Sequence, residues 1–269
     1  MLKQRLITAL ILIPLVVWGV YSLPEDYLTG IFSVLVLVGA WEWSRLSEAR
    51  SILVRVLYLI LLVVLMLGLH ADISFYMIIM YVAAVWWLFA IVWLFVPGFA
   101  RNSSNKAIAF KLFAGILILL PTWMAIVYIH GSEQYGPSWL LYMMALAWVA
   151  DGGAYFSGRR WGRNKLAPAI SPGKTREGVY GSFVLILPYA LLGGYFLGLQ
   201  ATDLASFVLL SVLLVPVSVL GDLFESLIKR HSGYKDSGVL LPGHGGVMDR
   251  IDSLTAVAPL FLIGIQVFT

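Results

Sequence analysis

The 269-residue chain contains no cysteine. That absence removes disulfide frameworks, thiolate metal sites and cysteine nucleophiles together, so any metal must be held by oxygen or imidazole. Charge is also scarce. Only 12% of residues are Asp, Glu, Lys or Arg, against 61% hydrophobic residues and a mean hydropathy of +0.91. This exceeds what a soluble core needs and describes a polytopic membrane protein. The formal charge of +4 comes without a basic stripe interleaved with stacking aromatics on a soluble module, which argues against nucleic acid as a partner.

Apolar runs of roughly 17 to 23 residues, enough to span a hydrocarbon core, begin near Leu6, Tyr27, Ile52, Ser74, Ile108, Ser138, Val179, Leu204 and Leu254. The expected fold is all-α, with about nine transmembrane helices, because an open strand in lipid leaves its backbone groups without partners. The last run is short for a span. Basic residues gather in alternate connections: Lys3 and Arg5; Arg45 to Arg55; Arg101 to Lys111; Arg159 to Arg176; and Lys229 to Arg250. The positive-inside rule then places the N-terminus in the cytoplasm and the C-terminus outside. The first helix is expected to be retained, since Tyr21 to Pro24 offers no small-x-small cleavage site. Residues 1–135 form the N-terminal helices and 136–269 a C-terminal catalytic region of one integrated membrane domain. The two longest cytoplasmic connections, Arg159 to Gly178 and Ser226 to Ser253, are where chemistry is expected.

Scarce charge makes its placement informative. Asp222 and Glu225 stand three residues apart near the end of the eighth run, and Asp249 and Asp252 repeat that spacing before the ninth. Each pair shares a helix face. Acids near bilayer depth usually face an aqueous or protein-lined cavity, and hard oxygen ligands that leave room for water and phosphates describe a Mg²⁺ site, with a second cation left open. The alternative is that these acids pair with Lys229, Arg230 and Arg250. A second cluster, SPGKTREG from Ser171 to Gly178, sets Lys174 and Arg176 around the Thr175 hydroxyl, beside Gly173. A Walker A motif fails here because Pro168 occupies the position of its first glycine, yet the backbone amides near Gly173 with Lys174 can cradle a triphosphate. Asp151, toward the end of the sixth run, is a candidate substrate or metal ligand, or a helix-packing ion. His244, within PGHGG, is suited to donate to phosphate or to serve as a plain turn residue. Glu42, in WEWSRL, pairs with Arg45 or lines the site.

The run from Ser226 to Asp252, SLIKRHSGYKDSGVLLPGHGGVMDRID, resembles the signature of phosphatidate cytidylyltransferases, also called CDP-diacylglycerol synthases. Ser226, Lys229, Arg230, Lys235, Asp236, Gly238, Pro242, His244, Gly245, Gly246, Asp249, Arg250 and Asp252 fall in register with it. Asp151 to Gly178 is similar to the same family, although Gly152 stands where Ser or Thr is expected. The resemblance covers roughly the C-terminal half. It implies transfer of a cytidylyl group from CTP to phosphatidate, giving CDP-diacylglycerol and pyrophosphate for phospholipid biosynthesis, at a cytoplasmic-side site in a bacterial inner membrane. It further implies Asp222 and Asp249 as Mg²⁺ anchors, with Glu225 and Asp252 beside them, and Lys174, Lys229, Arg230, Lys235 and Arg250 on the CTP and lipid phosphates. The resemblance also implies a homodimer. A transporter with Asp151, Asp222 and Asp249 on an ion path, and a CTP-dependent polyprenol kinase, are the competing expectations.

Overall fold

The computed structural model describes residues 13–240 and 245–268. Lys3, Arg5 and the start of the first apolar run therefore lie outside the described residues. Nine α-helices follow in order among those described: α1 (Ile13–Ser22), α2 (Glu25–Leu46), α3 (Ile52–Ala71), α4 (Tyr76–Phe95), α5 (Asn105–Gly131), α6 (Gly136–Trp161), α7 (Arg176–Phe196), α8 (Ala201–His231) and α9 (Met248–Phe268). Seven of them, all except α1 and α6, are long and apolar enough to cross a membrane.

Burial follows the sequence pattern. In α3 only Tyr58, Leu62 and Met66 are buried, a stripe at four-residue spacing flanked by half-buried Leu59, Leu65 and Leu69, so most of its remaining apolar surface faces outward. By contrast, α5 is enclosed between α2, α4, α6 and α9. Prolines sit inside α5, α7, α8 and α9, at Pro121, Pro188, Pro216 and Pro259. Membrane helices tolerate such breaks because neighbouring groups satisfy the freed carbonyls.

The polar connections differ from expectation. A continuous apolar run marks only the part of a helix that lipid requires, so charged turns at its ends read as loop. The structure keeps Ser226 to His231 helical, giving α8 31 residues, and starts α9 at Met248. Asp249 and Asp252 thus lie in the first two turns of a full-length helix, and the expected 226–253 connection contracts to residues 232–247. The other connection holds a small antiparallel ribbon, β1 (Lys165–Ala167) paired with β2 (Ser171–Thr175), which the sequence pattern does not distinguish from loop. Glu177 anchors its base, accepting from Arg163 N and from the backbone and side-chain nitrogens of Asn164.

Two devices brace the end of the bundle where these connections meet. Phe224 of α8 lies among Trp43, Trp86, Trp87 and Trp93, with ring centroids 5.3 to 6.0 Å away. Lys111, fully buried in α5, reaches Glu48 at 2.7 Å, while its carbonyl accepts from Trp43 Nε1. Burial works against the Glu48 charge, yet the bonds from Lys111 and Ser103 outweigh it and hold its carboxyl below the usual carboxylate range. This clamp is therefore complete at neutral pH and weakens only as acid protonates Glu48.

Candidate active site

The C-terminal part of α6, the ribbon, the last turns of α8 and the first of α9 enclose a cavity of about 590 Å³. That volume suits a small-molecule ligand. Asp151, Lys174, Asp222, Lys229, Asp249 and Arg250 all line it, with Asp252 and Thr175. Residues from four elements, separated by up to about a hundred positions, are thus brought to one place.

Asp222, Asp249 and Asp151 each have definite partners. Asp222 on α8 holds Lys174 Nζ at 2.7 Å and accepts from Ser226 Oγ one turn later. Asp249 divides its two oxygens: Oδ2 accepts from Ser237 N at 2.8 Å, Ser237 Oγ at 2.9 Å and Gly246 N at 2.8 Å, while Oδ1 takes Lys229 Nζ at 2.7 Å. The same ammonium lies 3.2 Å from Glu225 Oε2. Asp151 accepts from Ser253 Oγ at 3.1 Å, so a hydroxyl from α9 serves this acid where Gly152 supplies none. Asp252 lies close enough to Asp222, Glu225 and Asp151 to be repelled by each.

Close approach of α8 and α9 makes this possible. A Cβ at Gly221 would meet the Asp252 carbonyl oxygen at 2.5 Å and Ser253 Cα at 3.1 Å, both backbone atoms that cannot swing aside. Gly221→Leu is expected to destabilise the protein by about 1–3 kcal/mol through overpacking and to remove activity by separating Asp222 from Asp252. Thermal unfolding in detergent and turnover check the two effects.

A hard cation needs oxygen donors, and this lining supplies carboxylates in excess. The buried Glu225 and Asp252 carboxyl groups lie against each other, an arrangement that one shared proton or a cation between them would satisfy. Among the described residues no three acids or histidines converge as a finished metal cage. Lysine ammonium groups stand between the acids instead. The acid oxygens would suit Mg²⁺ at Asp222 once the partly exposed Lys174 ammonium leaves it.

Other expected residues fall elsewhere. Arg230 is exposed and donates to the Ile170 and Tyr234 carbonyls, tying the end of α8 to the ribbon. Arg176 and Lys235 are exposed and lie outside the described lining. Thr175 lines the cavity, but its Oγ1 also caps α7 by accepting from Gly178 N. His244 lies outside the described residues. Residues that sequence reasoning passed over include Tyr155 and Arg159, which join Asp151 at four-residue spacing on one face of α6, with Arg159 Nη1 donating to the Tyr155 hydroxyl at 3.0 Å. That spacing was the available signal. Asp236 and Ser171 also line the cavity.

The comparisons agree with this geometry. The model of the cytidylyltransferase family matches residues 3–268. The chain is similar to proteins named phosphatidate cytidylyltransferase. That of Pseudomonas aeruginosa is 40% identical over 262 residues, covering 97% of this chain and 96% of its own. The Haemophilus influenzae protein is 36% identical, with 97% of both chains covered. The Thermotoga maritima protein is 31% identical over 97% of this chain and 95% of its own. With the family model over residues 3–268 and near full-length relatives, the chain belongs to the cytidylyltransferase family.

Proposed function

We propose that the protein transfers a cytidylyl group from CTP to phosphatidate, forming CDP-diacylglycerol and pyrophosphate for phospholipid biosynthesis. The observation that carries this reading is the single cavity in which bases able to hold phosphates, Lys174, Arg159 and Arg250, face Asp151, Asp222, Asp249 and Asp252. An oxygen of the phosphatidate phosphate attacks the α-phosphorus of CTP. That P–O bond forms as the bond to the β-phosphate oxygen breaks, and pyrophosphate carries away the electron pair. A phosphate monoester is already an anionic nucleophile at neutral pH, so no side chain has to activate it. The task of the chain is to align two anions and offset their repulsion.

Lys174 suits this task because it stands on the ribbon with its side chain about a fifth exposed, so its ammonium can exchange Asp222 for a phosphate. Lys229 is more enclosed and holds Glu225 and Asp249 in register. Mg²⁺, held by Asp222 and Asp249 with Glu225 and Asp252 beside them, would neutralise charge on the triphosphate and the departing pyrophosphate. A second cation is an option the acid-rich lining leaves open.

Membrane placement completes the reading. The described Lys and Arg residues that brace or line the site, among them Arg45, Lys111, Lys174 and Arg230, belong to one end of the bundle. The positive-inside rule makes that end cytoplasmic, with the N-terminus on the same side, nine spans and the C-terminus outside, in the bacterial inner membrane. Acyl chains can then stay in lipid while the head group enters the cavity. Homodimerisation belongs to the same proposal, and native mass spectrometry in detergent tests it.

The deciding experiment incubates purified protein in micelles with α-labelled CTP, phosphatidate and Mg²⁺. Label is expected in CDP-diacylglycerol with equimolar pyrophosphate. Release of CDP without pyrophosphate, as from a kinase, overturns the reading. Lys174→Ala is expected to raise the KM for CTP by about 10- to 100-fold, the loss of one charge-assisted contact, with a smaller change in kcat. An unchanged CTP saturation curve removes Lys174 from that role.

A further inference from the structure

Glu42 of α2 takes no part in the chemistry above, yet its placement is demanding. The residue is only 6% exposed, and no Lys, Arg or His pairs with it among the described residues. A buried carboxylate without a counter-charge has to be answered by hydrogen bonds. Its Oε2 accepts from Met248 N at 2.9 Å and from Ser237 Oγ at 3.1 Å, across 206 and 195 positions of sequence. The connection is shaped around it. A Cβ at Gly238 would overlap Glu42 Oε1, and one at Gly246 would overlap both of its carboxylate oxygens, so these two glycines are the side-chain-free walls of a slot for Glu42. Three residues further along α2, Arg45 donates to the Ser237 carbonyl, so α2 grips Ser237 from both sides.

What Ser237 does next links this clamp to the cavity. Its amide and hydroxyl both reach Asp249 Oδ2, and the amide of Gly246, the wall of the slot, is the third donor to that oxygen. Every donor to Oδ2 therefore comes from a residue that touches Glu42 or packs on it. The one hydroxyl proton of Ser237 can serve only one of the two carboxylates at a time, while Asp249 N donates back to Ser237 Oγ at 3.3 Å.

We infer that Glu42 is a positioning residue for Asp249: it seats Ser237, Gly246 and Met248 so that Oδ2 is fully occupied and Oδ1 alone is left for Lys229 and the cavity. This rests on the reaction proposed above. It also gives the N-terminal half of the chain a direct part in site geometry.

The test compares full-length wild type, Glu42→Gln, Glu42→Ala and Gly238→Ala in micelles, with kinetics referred to folded protein. Glu42→Gln keeps an acceptor oxygen where Oε2 stands and is expected to retain kcat within about tenfold, whereas Glu42→Ala lowers it about 100-fold, the scale of an ångström-sized misplacement. The KM for CTP stays within about twofold, because no CTP-binding group is removed. Gly238→Ala, which pushes Glu42 from its slot, follows Glu42→Ala and carries the kinetic test if that variant does not fold. Amide hydrogen exchange without substrate supplies a second readout: peptides containing Ser237, Gly246 and Met248 lose protection in Glu42→Ala and Gly238→Ala. Wild-type kcat in both of these variants, a raised KM with unchanged kcat, or unchanged exchange overturns the inference. A wild type that makes no CDP-diacylglycerol overturns the reaction instead and leaves the exchange result to decide the clamp.

Discussion

Asp249→Asn is expected to lower kcat by about 10³-fold while the protein still folds. The argument follows from how this carboxylate is divided. Oδ2 answers three donors, Ser237 N, Ser237 Oγ and Gly246 N, at 2.8 to 2.9 Å. An asparagine must keep its carbonyl oxygen there, since turning the amide nitrogen toward two backbone N–H groups would leave them unsatisfied. Its NH₂ group then occupies the place of Oδ1, donor against donor with the Lys229 ammonium. Lys229 retains Glu225, so no buried charge is stranded, and the connection keeps its seat. The cavity, however, loses a negative oxygen at the point proposed to anchor Mg²⁺. Turnover across a Mg²⁺ titration, with size-exclusion and thermal unfolding as folding controls, checks the outcome. Near-normal turnover removes Asp249 from the site.

The helices were legible because lipid imposes a length and a continuous apolar character, and these survive in the sequence as uninterrupted runs. Their polar ends were not. Lys229 and Arg230 sit in the last turn of α8, where cations suit the carbonyl end of a helix, yet their charge reads as loop. The ribbon at Lys165 to Thr175 escaped notice because three- and five-residue strands carry too little alternation to distinguish from a turn. At the site, the acids were legible as costly charges at helical spacing, and the basic cluster around Lys174 as a phosphate-type loop. Pairing of Glu225 and Asp249 with Lys229 was legible as the alternative to a metal role, whereas the Lys174–Asp222 contact was not, since it joins a ribbon to a helix end through tertiary folding alone. Thr175 shows the reverse case: a hydroxyl that looks like a ligand is occupied as a helix cap. Glu42 could be noticed as a charge near the site, but its partners Ser237 and Met248 could not be named without the fold.

Lys229→Met is expected to cost about 3–5 kcal/mol of stability, on the order of a 10 °C fall in Tm, in addition to losing activity. The ammonium is buried between Glu225 Oε2 at 3.2 Å and Asp249 Oδ1 at 2.7 Å, and Asp252 lies against Glu225. Methionine fills similar volume but leaves facing carboxylates with no positive charge between them, and it is this repulsion, rather than lost packing, that dominates the cost. Two consequences separate that account from a contact made only with substrate phosphate. Adding Glu225→Gln to Lys229→Met removes one of the opposed charges and is expected to recover part of the lost Tm, a coupling that a double-mutant cycle measures directly. Millimolar Mg²⁺ is expected to raise the Tm of the single variant more than that of wild type, beyond NaCl at matched ionic strength, because a divalent ion can take the place the ammonium has left. A lysine that served only to hold phosphate would leave the substrate-free Tm unchanged, with no coupling to Glu225 and no selective response to Mg²⁺.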